Sequence, residues 1–244
     1  MKNTLRLSEV YVSVQGEGPR TGTKTQFVRF AGCNMKCPGW PCDTQHAIDP
    51  AIYMKEGGSE KLVPDELASY ITRYAQDMGA SNICLTGGEP LLQEEYLLHA
   101  TYTAVRVAAI SLELPTFTWE VFTNGSRHIP TWMLNNFHIM MDWKLTGSGE
   151  ALTKAEERLH NAKRLGYDQG IKFVCKDIQD LEEAAELMIM LRQVEDVTAT
   201  FWVGTAWATL TEAEIVEYIL EHNLPAKLNV QLHKYVWPAD ARCV

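Results

Sequence analysis

Three of the six cysteines in this 244-residue chain lie within ten residues of one another. Cys33, Cys37 and Cys42 are separated by three and then four residues in the stretch GCNMKCPGWPCDTQH, residues 32–46. Three thiolates suit a 4Fe–4S cluster that keeps one iron open for another ligand. They suit zinc as well, because His46 would complete a tetrahedral Cys3His set. The loop alone does not choose between these. Unligated thiols are a poorer reading, since free cysteine favours apolar surroundings and this loop is polar. Cys84 and Cys175 sit in apolar runs and read as core residues, and Cys243 carries no signal.

A second stretch, Thr86-Gly87-Gly88-Glu89-Pro90, also follows an apolar run. Two glycines allow a ligand close to the backbone, and the carboxylate after them suits an ammonium group. A tight turn before a helix is the plain alternative. A three-cysteine loop after one strand and GGEP after the next form an uncommon pair.

Such residues need a scaffold. Apolar, β-rich runs predict strands at Gln26–Phe30, Ile83–Thr86, Phe117–Phe122, His138–Trp143, Gly170–Cys175, Thr200–Gly204 and Leu228–Leu232, with a short one at Tyr11–Val14. Helical patterns fall at Pro64–Met78, Glu94–Leu112, Thr153–Leu165, Leu181–Val194 and Glu212–His222. Pro64 with Asp65 and Glu66 suits a first turn, and Thr211 with Glu214 suits a capping box. Strands alternating with helices imply right-handed crossovers and a largely parallel sheet, either open and doubly wound or an incomplete barrel. Chemistry then belongs at the C-terminal ends of the strands, where both motifs fall.

Composition bounds the rest. At 46% hydrophobic the chain can bury a core without disulfides. A net charge of −9 argues against broad electrostatic binding to nucleic acid or to an anionic membrane. The start has no apolar signal region and no run is long enough to span a membrane, so a cytoplasmic location with reduced thiols is expected.

The cysteine loop and GGEP together resemble the radical S-adenosylmethionine enzymes. Val12-Ser13-Val14-Gln15-Gly16-Glu17-Gly18, Phe27-Val28-Arg29-Phe30-Ala31-Gly32-Cys33-Asn34 and Cys42-Asp43-Thr44 narrow the resemblance to the 7-carboxy-7-deazaguanine synthase family. Weaker matches run through Thr123-Asn124-Gly125, Lys144 to Gly149, Lys172-Phe173-Val174, Gln231-Leu232-His233-Lys234 and Trp237. The resemblance implies one domain over residues 1–244, an incomplete parallel (β/α) barrel of the radical-SAM type. A variable surface loop near 49–61 and a short tail at 237–244 accompany it. It implies ring contraction of 6-carboxy-5,6,7,8-tetrahydropterin to 7-carboxy-7-deazaguanine with loss of ammonia. The implied cofactors are a 4Fe–4S cluster on Cys33, Cys37 and Cys42, S-adenosyl-L-methionine, and Mg2+ on Thr44. Cofactor neighbours would be Trp40, Pro41, Gly87, Gly88, Glu89, Asn124, Asp142, Lys144 and Ser148. Substrate neighbours would be Val14, Gln15, Gly16, Glu17, Arg29, Thr86, His233 and the Val244 carboxylate. Expected partners are the pterin, a one-electron reductant such as flavodoxin or ferredoxin, and a second copy in a homodimer.

The residue types agree with those roles. Glu17 can accept from the guanidine-like pterin edge, Gln15 can donate and accept, and Arg29 can clamp a carboxylate through two parallel bonds. A hydroxyl beside a substrate carboxylate offers magnesium hard oxygen ligands. Duller roles stand beside them: Glu17 in a solvated turn, Arg29 paired with a structural carboxylate, Asp43 or Thr44 capping a turn, His233 in the core. The chain also departs from the family. The second cysteine gap is four residues rather than two, and Pro41 replaces an aromatic before the third cysteine. Phe122 stands where relatives have glutamate before Thr-Asn-Gly, with Glu120 two residues earlier. Asp142-Trp143-Lys144 replaces Ser-Pro-Lys. The rival readings are another radical enzyme such as a glycyl-radical activase, a catalytically dead relative, and a zinc-stabilised binding module.

Overall fold

A computed structural model describes residues 3–40, 42–48 and 60–243. Among these residues nine strands form one sheet in the order β3-β1-β2-β4-β5-β6-β7-β8-β9. They are β1 (Leu5–Val14), β2 (Lys24–Phe30), β3 (Glu60–Leu62), β4 (Asn82–Gly87), β5 (Thr118–Thr123), β6 (His138–Trp143), β7 (Gly170–Cys175), β8 (Thr200–Thr205) and β9 (Ala226–Leu228). β2 and β4 to β9 are parallel; β1 pairs antiparallel with β2 on one side and with the edge strand β3 on the other. The curled sheet is the expected incomplete barrel. The last strand is corrected from Leu228–Leu232 to Ala226–Leu228: Asn229 N still donates to Val203 O, and beyond it the chain turns, with the Asn229 and Gln231 side chains bonding Glu17. The first strand extends well beyond Tyr11–Val14, since Leu5 to Leu7 also pair with β3.

Side chains alternate across a strand, and residues facing each other across a ladder share a side. One side carries Leu7, Val28, Phe30, Leu85, Val121, Ile139, Met141, Phe173 and Val203, all buried in one apolar cluster. It packs under α2 (Pro64–Met78), α3 (Glu95–Ser111), α6 (Ile178–Ile189) and α7 (Glu212–Glu221). The other side carries Glu9, Tyr11, Arg29, Cys84, Thr86, Glu120, Asp142 and Lys172 and lines the interior. Cys175 lies in the helix-side core, as expected, whereas Cys84 is buried on the inner side, beside Glu120 and Gln15.

Shorter helices are α1 (Gln45–Ile48), α4 (Thr131–Leu134), α5 (Ala155–Ala162) and α8 (His233–Val236). α2 begins as expected at Pro64, where the Glu66 side chain accepts from the Val63 N–H at 2.9 Å. It ends at Gly79, whose φ of +64° suits glycine. The Thr211–Glu214 capping box is present in both directions. No helix among the described residues is long and apolar enough to cross a membrane.

The segment after β1 closes the barrel's open side. Leu232 N donates to Gly16 O at 2.9 Å, and Gly18 N donates to Asn229 Oδ1 at 3.0 Å. A side chain at Gly16 would meet His233 Nδ1 at 2.2 Å, so the close approach requires glycine.

Candidate active site

The rim is built by two neighbouring strands. Gly88 N donates to Phe30 O at 3.1 Å and Glu89 N to Gly32 O at 2.9 Å, so the GGEP turn lies directly against the start of the cysteine loop. A Cβ at Gly87 would stand 2.2 Å from Phe30 O, and one at Gly88 would stand 2.2 Å from Gly32 O. Gly87 also has φ +138°, which side chains other than hydrogen rarely allow. Glu89 is fully buried and caps the following turn, accepting from Leu91 N at 2.9 Å, Thr123 Oγ1 at 2.7 Å and Asn124 N at 2.7 Å. Burial pushes its carboxyl up to about 6, against the pull of those donors.

Asn124 Nδ2 lies 3.8 Å from Cys33 Sγ and 3.2 Å from Asn34 Oδ1. Thr44 Oγ1 lies 3.4 Å from both Cys42 Sγ and Gly87 O. Ser148 is buried; its hydroxyl donates to Leu145 O at 2.6 Å, and its carbonyl accepts from Gly39 N in the cysteine loop at 3.1 Å. The half-buried Trp40 stays with the loop through Cys37 O. Pro41, Val244 and most of the 49–61 loop lie outside the described residues.

Cys33, Cys37 and Cys42 are free thiols, each half-buried. Burial raises the Cys37 thiol to about 11, with Cys42 and Cys33 adding to the rise while Lys144 opposes it. Burial raises Cys33 as well, with Cys42 contributing. Among the described residues no three His, Cys, Asp or Glu side chains close around a single ion. Zinc requires such closure, whereas a 4Fe–4S cluster takes each thiolate on a different iron. His46 completes no Cys3His set; its Nε2 faces Glu9 Oε2 at 3.4 Å. The donor set fits the cluster.

Below the rim, ionised groups form a chain. Lys144 Nζ is 3.0 Å from Asp142 Oδ2, Lys172 Nζ is 3.1 Å from Asp142 Oδ1, and Lys172 Nζ is 2.6 Å from Glu17 Oε2. Burial alone would neutralise these groups. Asp142 and Glu17 overcome it and hold the Lys172 ammonium charged, while Lys172 holds Glu17 below the usual carboxylate range. Glu17 Oε1 also accepts from Gln231 Nε2 at 2.9 Å. At the mouth, Lys234 Nζ meets Asp43 Oδ2 at 2.6 Å.

Gln15 is buried low in the barrel, where Nε2 donates to Glu120 Oε1 at 2.8 Å. Glu120 also accepts from Asn82 Nδ2 at 2.5 Å, so it forms part of the floor, away from the Thr123-Asn124 rim. Val14 ends β1 beside that floor. Thr86 stands opposite Arg29 across the β2–β4 ladder. Arg29 Nε donates to Glu9 Oε2 at 2.9 Å and Nη2 to Tyr11 Oη at 3.1 Å. His233 opens α8 beside Gly16 and is held below its usual range by burial.

Sequence reasoning assigned no site role to Glu9, Lys172, Asn229, Gln231 or Lys234. A signal existed for Lys172: Asp142, Lys144 and Lys172 are charged residues in or just after otherwise apolar strands, and interior strands seldom carry charge without a partner.

Residues 14–165 match the family model described as a 4Fe-4S single cluster domain. The chain is 29% identical over 243 residues to the 7-carboxy-7-deazaguanine synthase of Clostridium acetobutylicum, covering 98% of this chain and 99% of that protein. It is 32% identical over 241 residues to the protein of the same name from Leptospira interrogans, covering 94% of each. The crystal structure of QueE from Escherichia coli superposes with a TM-score of 0.67 at 22% identity, covering 94% of this chain and 95% of that one, which shows a shared fold.

Proposed function

Because this chain belongs to the 7-carboxy-7-deazaguanine synthase family, we propose that its barrel interior is the chamber in which 6-carboxy-5,6,7,8-tetrahydropterin is contracted to 7-carboxy-7-deazaguanine. It is a radical S-adenosylmethionine lyase, and ammonia is the by-product. One observation carries the site assignment: three adjacent free thiols stand against the GGEP turn, above an interior lined by paired charges.

When bound, the cluster supplies the electron that opens the sulfur–carbon bond of S-adenosylmethionine. The protein holds, orients and shields. Cys33, Cys37 and Cys42 hold the iron. Glu89 fixes the turn, and the Gly87–Gly88 backbone takes the methionine end of the cofactor. Asn124, Lys144, Asp142, Ser148 and Trp40 flank it. Thr44 would offer its hydroxyl oxygen to magnesium, a hard ligand that suits the ion. Glu17 receives the donor edge of the pterin, Arg29 receives its carboxylate, and Val14, Gln15, Gly16, Thr86 and His233 wall the pocket.

The half-exposed cysteine loop leaves a route for electrons from a small donor such as flavodoxin or ferredoxin. The working form is a homodimer, for which exposed Val107 and Ile110 on α3 offer an apolar patch. The reduced thiols suit the cytoplasm. The test is anaerobic reconstitution with iron and sulfide, then incubation with S-adenosylmethionine, magnesium, reductant and the pterin. A product of the mass of 7-carboxy-7-deazaguanine supports the reading; a loaded cluster with unaltered pterin removes it.

A further inference from the structure

We propose that Glu9 is a positioning residue for the Arg29 clamp, and that Arg242 latches the C-terminal tail onto it. The proposal rests on the reading of Arg29 as the receiver of the substrate carboxylate.

The first strand breaks its own parity. In β1, Leu7 faces Phe30 but Glu9 faces Arg29, so Ser8 is an extra residue in the ladder. One added residue reverses the side on which every later side chain falls. Leu5 and Leu7 therefore enter the helix-side core, while Glu9, Tyr11 and Ser13 turn inward. Without the bulge, Glu9 would lie in the apolar layer.

Turned inward, Glu9 meets groups from three other parts of the chain. Arg29 Nε of β2 lies 2.9 Å from Oε2, and His46 Nε2 of α1 lies 3.4 Å from the same oxygen. Arg242 of the tail takes Oε1 through Nη2 at 2.6 Å and Nε at 3.1 Å. The Glu9 side chain is only 8% exposed, whereas that of Arg242 is 40% exposed. The tail thus reaches a buried anion from outside.

The two oxygens do different work. Arg242 occupies Oε1, leaving Oε2 to fix the inner edge of the Arg29 guanidinium, while Tyr11 fixes Nη2. Nη1 makes no hydrogen bond among the described residues and is left for an incoming oxygen. Release of Arg242 would free Oε1 and let Glu9 draw Arg29 away from the substrate.

The test compares the reconstituted parent with Glu9→Gln, Arg242→Gln, Arg242→Lys and Arg29→Gln, with iron content measured for each. Arg242→Gln and Glu9→Gln are expected to raise KM for the carboxy-pterin roughly five- to twentyfold, with kcat within about twofold and iron content unchanged. Arg242→Lys should restore most of the loss, and protease cleavage after residue 236 should quicken in Arg242→Gln. If Arg29→Gln raises KM while both Glu9→Gln and Arg242→Gln leave it at the parental value, the latch is wrong and the clamp stands. If Arg29→Gln itself leaves KM unchanged, the clamp reading fails and the latch falls with it. Should Glu9→Gln not fold, Arg242→Gln decides, because its side chain is outside the core.

Discussion

Lys172 Nζ sits 2.6 Å from Glu17 and 3.1 Å from Asp142, so one ammonium bridges two carboxylates inside the barrel. Removing it leaves buried charge without a partner. Lys172→Met should lower unfolding free energy by about 3–5 kcal/mol in urea titrations. Adding Glu17→Gln should recover much of that loss, because Lys144 still pairs with Asp142. Additive losses in the double variant would contradict this account.

His138 opens β6, and its Nε2 is buried without a partner. Burial, reinforced by Arg20, lowers its pKa to about 4. The unfolded chain binds that proton more readily, near pH 6.5. The contribution to stability is therefore complete above about pH 6.5 and declines as pH falls towards 4, by up to about 3 kcal/mol. His138→Gln should flatten the acid limb of the stability profile between those values. An unchanged slope would show that other groups govern it.

Gly88 has no room for a methyl group, since its Cβ would stand 2.2 Å from Gly32 O. Gly88→Ala must push the GGEP turn away from the cysteine loop. Product formation should fall at least about tenfold with an altered cluster spectrum, while far-UV circular dichroism stays parental. Parental turnover in this variant would mean that the turn and loop need not touch.

The cysteines should divide sharply. The parent should hold about four irons per chain after reconstitution. Alanine at Cys33, Cys37 or Cys42 should abolish product and most of the brown colour. Cys175→Ala should keep both and lose only stability, because that thiol lies in the helix-side core. Iron analysis with product mass spectrometry separates the two groups.

Thr44 stands between Cys42 and the Gly87 carbonyl, and its hydroxyl is the oxygen proposed for magnesium. Omitting magnesium should raise KM for the pterin, and Thr44→Val should mimic the omission without changing iron content. A Thr44→Val enzyme with the parental magnesium response would dissociate this hydroxyl from the metal.

Much of the frame could be read from residue patterns. His138–Trp143, Gly170–Cys175 and Pro64–Met78 match their expected bounds, because each is a strong run between clear breakers. The three thiols and GGEP were legible as a pair, since each alone had a plain alternative and their succession after two strands did not. Periodicity could not choose open sheet or barrel, since both bury the same face. The family resemblance placed Gln15 beside the substrate, but its bond to Glu120 was not legible in the sequence. The partners of a buried polar group depend on contacts as distant as Glu17 with Asn229 and Gln231, and no local pattern encodes them. The Ser8 bulge left a trace in the shift from Leu5 and Leu7 to Val10, Val12 and Val14, yet its effect on Glu9 needed the ladder register.

The Gln15–Glu120–Asn82 contacts lie across the lower end of the barrel. The proposed site puts the entrance at the other end, beside the cysteines, where cofactor and substrate would share one doorway. With one way in, whichever small molecule lies deeper arrives first and departs last, so the queue at that threshold, rather than the affinity of either guest alone, sets the order of traffic.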